Sequence, residues 1–307
     1  MTVDTIKKAA QGMNFDACEV IALNGLPSEQ QQRFSDWLQK GYSAQMSYLR
    51  RFADKRADPR LMLRDGAKTA VIVLFSYNTK WQQPQRLPQV SRYAYGMDYH
   101  ELLKKKLWAL LKILQQENPK LRGRTFTDSA PLQERYWAAT AGLGWIGKNG
   151  MLINKQLGSY VYIGTLLLNA EVEVAPPVQV KNCCGTCTRC IEACPTQAIV
   201  DNALVDARKC WSYKTIEAHT CEKNAASDEN FGQPKYIFGC DICQNACPWN
   251  KKAAVVQHDE MQILPLLQTL THEDWLAMSA EDFEKNFEHS AIKRATLEGI
   301  KRNVSKQ

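Results

Sequence analysis

The order of apolar and polar positions divides this chain into helices and strands before any chemistry is considered. Pro27-Ser28 to Lys40 reads as a helix that stops at Gly41, with proline near its start and glycine past its end, the usual asymmetry of helix termini. Thr69–Tyr77 is an unbroken β-branched and apolar run bounded by polar residues, which predicts a buried central strand. Trp81–Gln89, broken by Pro84 and Pro88, predicts a loop. Asp98 opens the strongest helical pattern: Leu103, Leu107, Leu110, Leu111 and Leu114 share one face. Glu101 stands three residues after Asp98, the spacing of a capping box. Lys104–Lys106 straddle the edge of the apolar face and read as a solvated helix side.

Thr125–Thr127 predicts a strand and Leu132–Ala141 a helix with Pro131 at its first turn. Met151–Asn154 and Tyr160–Asn169 read as a hairpin around Lys155–Gly158. Pro176-Pro177 marks a boundary. Beyond Asn250 the pattern is helical and amphipathic in pieces, without evident chemistry. The expected fold class is α/β (α+β), with a central sheet in the N-terminal part.

Composition narrows the class. Of 307 residues, 45% are hydrophobic and 23% charged, which excludes disorder as the main state. The apolar runs Ala70–Phe75 and Leu166–Leu168 fall well short of the ~20 residues that span a bilayer. The opening residues, MTVDTIKKAAQ, contain no apolar segment of a secretion signal, so a cytoplasmic protein is expected. The informative count is cysteine: 11, of which only Cys18 precedes residue 183. In a reducing compartment such density means metal or redox chemistry. Three units are therefore expected: 1–177, a cysteine module at 178–255, and a helical tail at 256–307.

The module carries two motifs. Cys184-x2-Cys187-x2-Cys190-x3-Cys194-Pro195 has the spacing of bacterial iron–sulfur proteins, whose fourth cysteine serves the other cluster. Cys240-x2-Cys243-x3-Cys247-Pro248 repeats it, with its remaining ligand, Cys210, detached by thirty residues. Two [4Fe–4S] clusters need eight thiolates, and these motifs supply them. The crossed pattern assigns Cys184, Cys187, Cys190 and Cys247 to one cluster, and Cys194, Cys210, Cys240 and Cys243 to the other. Cys18, Cys183 and Cys221 are left over. Zinc also binds paired C-x2-C motifs, but two C-x3-C-P endings with crossed spacing are not a zinc-ribbon pattern. The insertion Trp211–Gly239 is long enough to cover a neighbouring site.

Gly142-Leu-Gly144-Trp-Ile-Gly147 is a literal G-x-G-x-x-G, yet it follows a helix and precedes a strand, the reverse of the dinucleotide-binding order. These glycines, with Gly150, are expected to make tight turns and let backbone approach a large ligand. Asp128 lies between a strand and a helix, where capping is the simpler role. His100, His219, His258, His272 and His289 show no ligand spacing. Met46–Arg64 gathers Arg50, Arg51, Lys55, Arg56, Arg60 and Arg64 against Asp54 and Asp58. Such a stretch is ordinarily a solvated face; with a net charge of +7 a phosphate-rich partner is the alternative.

Taken together, Asp128-Ser-Ala-Pro-Leu-Gln-Glu-Arg135, Ala-Gly-Leu-Gly-Trp-Ile-Gly-Lys148-Asn149, Gly158-Ser-Tyr, Tyr-Gly-Met-Asp98-Tyr-His100, Lys55-Arg56 and the double cluster module resemble the epoxyqueuosine reductases over nearly the whole chain. The resemblance implies a cobalamin-binding catalytic domain followed by a ferredoxin-like double-cluster domain. It implies cobalamin as a cofactor, tRNA carrying epoxyqueuosine as substrate, and an electron donor such as ferredoxin or flavodoxin. It further implies Asp128 as proton donor, Arg135, Leu152 and Ile163 in the cobalamin pocket, Arg56 and Ser91 near cofactor or substrate, and Ser212 beside the corrin. A monomer is expected. Many relatives continue into a helical-repeat domain, whereas this chain ends soon after His289-Ser-Ala-Ile-Lys-Arg, so a different tRNA grip is expected. The alternatives are a dehalogenase-like cobalamin enzyme acting on a small molecule and an iron–sulfur electron carrier.

Overall fold

The computed structural model describes residues 1–178, 180–218 and 234–307. Cys221, His219 and most of the insertion Trp211–Gly239 lie outside the described residues. The first half of the chain runs α1 (Val3–Gly12), β1 (Ala17–Ala22), α2 (Ser28–Gln39), α3 (Ala53–Ala57), β2 (Thr69–Ser76), β3 (Gln89–Val90), α4 (Tyr99–Glu117), β4 (Gly123–Phe126) and α5 (Glu134–Thr140). There follow β5 (Trp145–Ile146), β6 (Leu152–Ile153), β7 (Val161–Leu168), α6 (Arg189–Glu192), β8 (Ile199–Asp201), β9 (Leu204–Val205), α7 (Trp211–Ile216), β10 (Tyr236–Phe238), α8 (Ile242–Asn245) and α9 (Pro248–Lys251). The tail adds α10 (His272–Ala277), α11 (Ala280–Phe287) and α12 (Thr296–Val304). Among the described residues no helix is long and apolar enough to cross a membrane.

The main sheet has the order β1-β2-β7-β4, and every pairing in it is antiparallel. All eight residues of β2 are buried, as its unbroken apolar pattern requires of a strand covered on both faces. Alternation then sorts side chains between two cores. Val71, Val73 and Phe75 face α4, packed with Leu103, Leu107 and Leu110. Ala70, Ile72 and Leu74 face α5, with Trp137 and Ala138. Gly164 on β7 admits α4 closely: a Cβ there would stand 3.1 Å from a Leu107 methyl.

The tail is not a separate layer. Trp275, Phe283, Phe287, Ile292, Ile300 and Val304 are buried in the α4-side core. Asn303 on α12 donates through Nδ2 to the carbonyls of Thr215 (2.9 Å) and Ile237 (2.8 Å). Strand β10 pairs in parallel with β3, so the cysteine module is tied to the sheet domain by a ladder as well as by the tail.

Four local expectations give way to tertiary packing. Residues 151–169 do not form a hairpin: β6 pairs with β5, while β7 pairs with β2 and β4. The Lys155–Gly158 turn survives only as an Asn154–Gly158 bridge, because the apolar β7 needs a neighbour on each side. Lys106 is buried rather than solvated, its Nζ 2.6 Å from Glu260 and 5.1 Å from the Phe75 ring centre. Asp98 does cap α4 through His100 N–H, but Glu101 faces His289 at 3.1 Å and completes no capping box. Helix α5 starts at Glu134, so Pro131 and Leu132 precede it.

Glycine at 144 is required by contact: a Cβ there would lie 2.2 Å from the Ile153 carbonyl oxygen. Gly144→Ala should therefore destabilise the protein by roughly 1–3 kcal/mol, the usual cost of overpacking. Gly12 has nothing within 4 Å of such a Cβ, so Gly12→Ala should be neutral or slightly stabilising. Thermal unfolding of the two variants side by side checks this; equal melting temperatures would show that the β5–β6 contact is soft.

Candidate active site and cluster centres

The structure gathers the module's cysteines into two groups. Cys190, on α6, has its thiol pushed up by burial and then by the neighbouring Cys184, Cys247 and Cys187. Cys243, on α8, is pushed well up by burial and then by Cys240, Cys210 and Cys194. The Cys240 thiol is raised to about 12, again by burial first. The first group thus takes three cysteines from one stretch of chain and the second takes Cys240, Cys243 and the detached Cys210, each completed by the Cys-Pro cysteine of the opposite motif. Packed thiols with raised pKa values resist ionisation in isolation, and a cationic iron centre reverses that preference. The donor set, four soft sulfur ligands per group, fits iron–sulfur chemistry.

The first group lies against β5. Trp145 donates its indole N–H toward Cys184 Sγ at 3.5 Å, and Trp249 stands edge-on to Trp145, ring centres 5.0 Å apart. This group also borders a solvent-open hollow of about 610 Å³ lined by Cys184, Cys187, Thr188, Arg189 and Pro248. Cys183 is counted in neither group, and its thiol lies 3.2 Å from the Lys181 carbonyl. Cys18 sits on β1 against the core, its thiol raised to about 12 by burial.

The second group abuts the sheet domain. Gly239, beside Cys240, has φ +69° and would place a Cβ 2.4 Å from the Ser91 Cβ. Ser91 is itself buried, its hydroxyl 2.5 Å from the Asp241 carboxylate. The side chain expected near cofactor or substrate is therefore engaged in joining the two domains. Ser212 follows Cys210 at the start of α7, half-buried, and its carbonyl accepts from the Thr215 hydroxyl at 3.1 Å.

The exposed face on which β4, β7, the segment before α3 and the tail converge around Asp128 is the candidate cleft. Thr127, just past β4, is buried and donates through its hydroxyl to the Ile163 carbonyl at 2.9 Å. Asp128 then turns with φ +50°. Its carboxylate accepts from the Tyr99 hydroxyl at 2.6 Å and lies 3.9 Å from His100 Nε2, with 70% of the side chain exposed. Tyr99 is held by stacking on Tyr162, ring centres 4.5 Å apart and planes 3° apart. Burial, with Asp128 beside it, pushes the Tyr99 hydroxyl well above its ordinary value, so it remains a phenol and a donor.

Asp128 is not a helix cap. The residue before α5 is Gln133, which makes no capping bond, and the Asp128 carboxylate turns to Tyr99 instead. Across the cleft, Tyr48 is raised to about 12 by burial first and then by Glu217, Arg294, Asp128 and Arg56 acting in opposite directions. Arg294 and Glu217 pair at 3.0 Å. Sequence patterns gave no role to Tyr99, Tyr48, Glu217 or Arg294, because no spacing links positions that only the fold assembles.

The other expected residues divide. Arg56 is half-buried, its guanidinium 5.1 Å from the Phe34 ring centre and its Nε buried without a hydrogen-bond partner. Ile163 is partly exposed beside Thr127. Arg135 is exposed and donates to the Gly150 carbonyl. Leu152 is a core residue, 2% exposed, in the α5-side core. The close approaches found at the glycine cluster are internal: Gly142 (φ +85°) lies against the Val178 carbonyl and Gly144 against that of Ile153.

Comparison with known proteins agrees with this arrangement. The family model "4Fe-4S double cluster binding domain" matches residues 183–250, and "Epoxyqueuosine reductase QueG" matches residues 56–129. The chain is 41% identical to the epoxyqueuosine reductase of Cyclobacterium marinum, over 97% of this chain and 94% of that protein. It is similar in structure to an epoxyqueuosine reductase solved with an epoxyqueuosine-modified tRNA-Tyr stem loop (TM-score 0.87, 26% identity, covering 98% of this chain and 79% of that one). It is also similar to the Bacillus subtilis epoxyqueuosine reductase captured with its catalytic aspartate loop swung out of the active site (TM-score 0.86, 26% identity, the same coverages). The chain belongs to the epoxyqueuosine reductase family.

Proposed function

We propose that this protein reduces epoxyqueuosine in tRNA to queuosine, the reaction for which its family is named, with Asp128 as the proton donor. The observation that carries the reading is the placement of Asp128: exposed in a cleft, oriented by Tyr99, and on the side of the molecule where the second cysteine group meets the sheet domain. Family membership disfavours the small-molecule dehalogenase and the plain electron carrier.

The reaction breaks both carbon–oxygen bonds of an epoxide, takes up two electrons and two protons, and releases water with formation of an alkene. Eight cysteines would hold the two [4Fe–4S] clusters in the crossed sets that the two thiol groups support. Electrons would enter at the first group, which borders the solvent-open hollow, and leave from the second, which abuts Ser91. The donor would be a small carrier such as ferredoxin or flavodoxin. The cleft suits cobalamin: the unpartnered Arg56 Nε can meet an amide-bearing macrocycle, with Ile163 and Ser212 as further contacts. Arg135 borders that proposed wall, with Leu152 in the core beneath it and Ser91 bracing it from behind. Bound cobalamin would supply the two-electron chemistry at the epoxide carbon. Asp128 would protonate the leaving oxygen, with Tyr99 holding its carboxylate in line. The protein would act as a cytoplasmic monomer.

The direct test is incubation of reduced, anaerobically reconstituted protein with tRNA carrying epoxyqueuosine, followed by mass analysis of the nucleosides. Queuosine should form; its absence with full cofactor content would overturn the reading. Asp128→Asn should retain cobalamin, iron and tRNA binding but lose about 10²–10⁴-fold in turnover, the usual share of general acid catalysis. Turnover near that of the parent would send the search to water or another acid.

For the clusters, the expected content is about eight irons, four in each cubane. Cys187→Ser should lower it, whereas Cys183→Ser should not, since the Cys183 thiol is engaged with the Lys181 carbonyl and the eight motif cysteines already supply the ligands. Iron analysis beside the absorption spectrum checks both, and full retention in Cys187→Ser would defeat the ligand assignment.

The basic segment would contact the anticodon arm. Arg51 is exposed, and Arg50 is exposed while donating to the Leu38 carbonyl at 3.0 Å. Replacing both by Ala should weaken tRNA binding and flatten its salt dependence by up to about two phosphate contacts. Binding isotherms across a salt series would show it, and an unchanged slope would return the segment to a merely solvated face.

A further inference from the structure

The Asp128 turn contains a strained residue whose backbone support comes from a side chain six residues further along the chain. Asp128 has φ +50°, a region that costs an L-residue about 1–2 kcal/mol unless its surroundings hold it. Its carboxylate is held by Tyr99, as described. Its backbone N–H is held separately: it donates to Glu134 Oε2 at 2.8 Å. Glu134 is the first residue of α5, where a carboxylate ordinarily faces solvent and the helix dipole. Here one carboxyl oxygen reaches back to Asp128, and the other, Oε1, is buried with no partner.

We propose that Glu134 is a positioning residue: its side-chain oxygen latches the Asp128 amide and so keeps the acid-bearing turn folded into the cleft. Glu134 touches neither substrate nor cofactor in this role, which rests on the reading of Asp128 as proton donor. The acceptor oxygen, rather than a negative charge, performs the latching. Burial first, then the Asp128 carboxylate, raise the Glu134 carboxyl to about 8, with the Asp128 N–H bond, Arg135 and Lys104 opposing. That direction favours the neutral acid near neutral pH, with Oε2 accepting from the amide and Oε1 in the unpartnered position. An amide side chain presents the same acceptor in the same volume, whereas a thioether fills the volume without one.

The test compares Glu134→Gln with Glu134→Met in the reconstituted enzyme, reading hydrogen exchange of the backbone over residues 127–130 and steady-state turnover. Glu134→Met should speed exchange there by about tenfold, the factor one ordinary hydrogen bond supports. It should lower kcat by a similar factor, with KM for tRNA within about twofold. Glu134→Gln should restore both. Unchanged exchange in Glu134→Met would overturn the latch, and so would a Glu134→Gln variant as defective as Glu134→Met. Should Glu134→Met not fold, Glu134→Ala replaces it and the same two readouts decide. Exchange reports the latch whatever Asp128 does chemically, so a failure of the proton-donor reading, seen as full turnover by Asp128→Asn, stays distinguishable.

Discussion

The antiparallel pairing of β2 with β7 is the constraint on which the rest of the molecule depends. It runs in register from Thr69–Leu168 to Ser76–Val161, and both strands are apolar on both faces. Two such strands cannot stand at a sheet edge without exposing apolar surface and unpaired backbone. They therefore take the middle of the sheet, with β1 and β4 outside them and a helix-covered core on each side. The same pairing puts the end of β2 and the start of β7 side by side. Tyr77, Tyr160 and Tyr162 gather there, and Tyr99 stacks on Tyr162. The cleft and the contact with the cysteine module are built at that end of the sheet.

The contact itself is polar and largely satisfied. Ser159 donates its hydroxyl to Gln244 at 2.8 Å and its backbone N–H to Asn250 Oδ1 at 2.6 Å. Tyr160 donates its hydroxyl to Asn245, and Asp241 accepts from the Ser91 hydroxyl and the Arg92 backbone N–H. Burial raises the Asp241 carboxyl, and those donors act to lower it. Polar groups in a dry interface are costly when unpaired and directional when paired. Such a network holds one docking geometry, as delivery of single electrons to a fixed site requires. It places the second cysteine group against Ser91, while the first rests on β5.

The tail closes the arrangement from the other side. Asn303 bonds the backbone of both α7 and β10, and Arg294 pairs with Glu217 just beyond α7. His258 stacks on Phe75, ring centres 3.9 Å apart, and meets Asp16 at 2.9 Å. The residues after the cysteine module therefore complete both the core of the sheet domain and a wall of the cleft.

Local pattern alone determined much of this protein. The β2 run, the leucine face of α4, the limits of α2 and the crossed cysteine spacing were all legible, because each depends on residues close in sequence and on a fixed period. The set of motifs also carried the family. What only the tertiary structure decided is partnership. It set β7 against β2 rather than in a hairpin, buried Lys106 with Glu260, and drew Glu101 toward His289. It turned Asp128 away from the helix it was expected to cap and toward Tyr99, with Glu134 behind it. These contacts join residues that no sequence period relates. Their energies come from burial and charge at positions that exist only once the sheet has assembled.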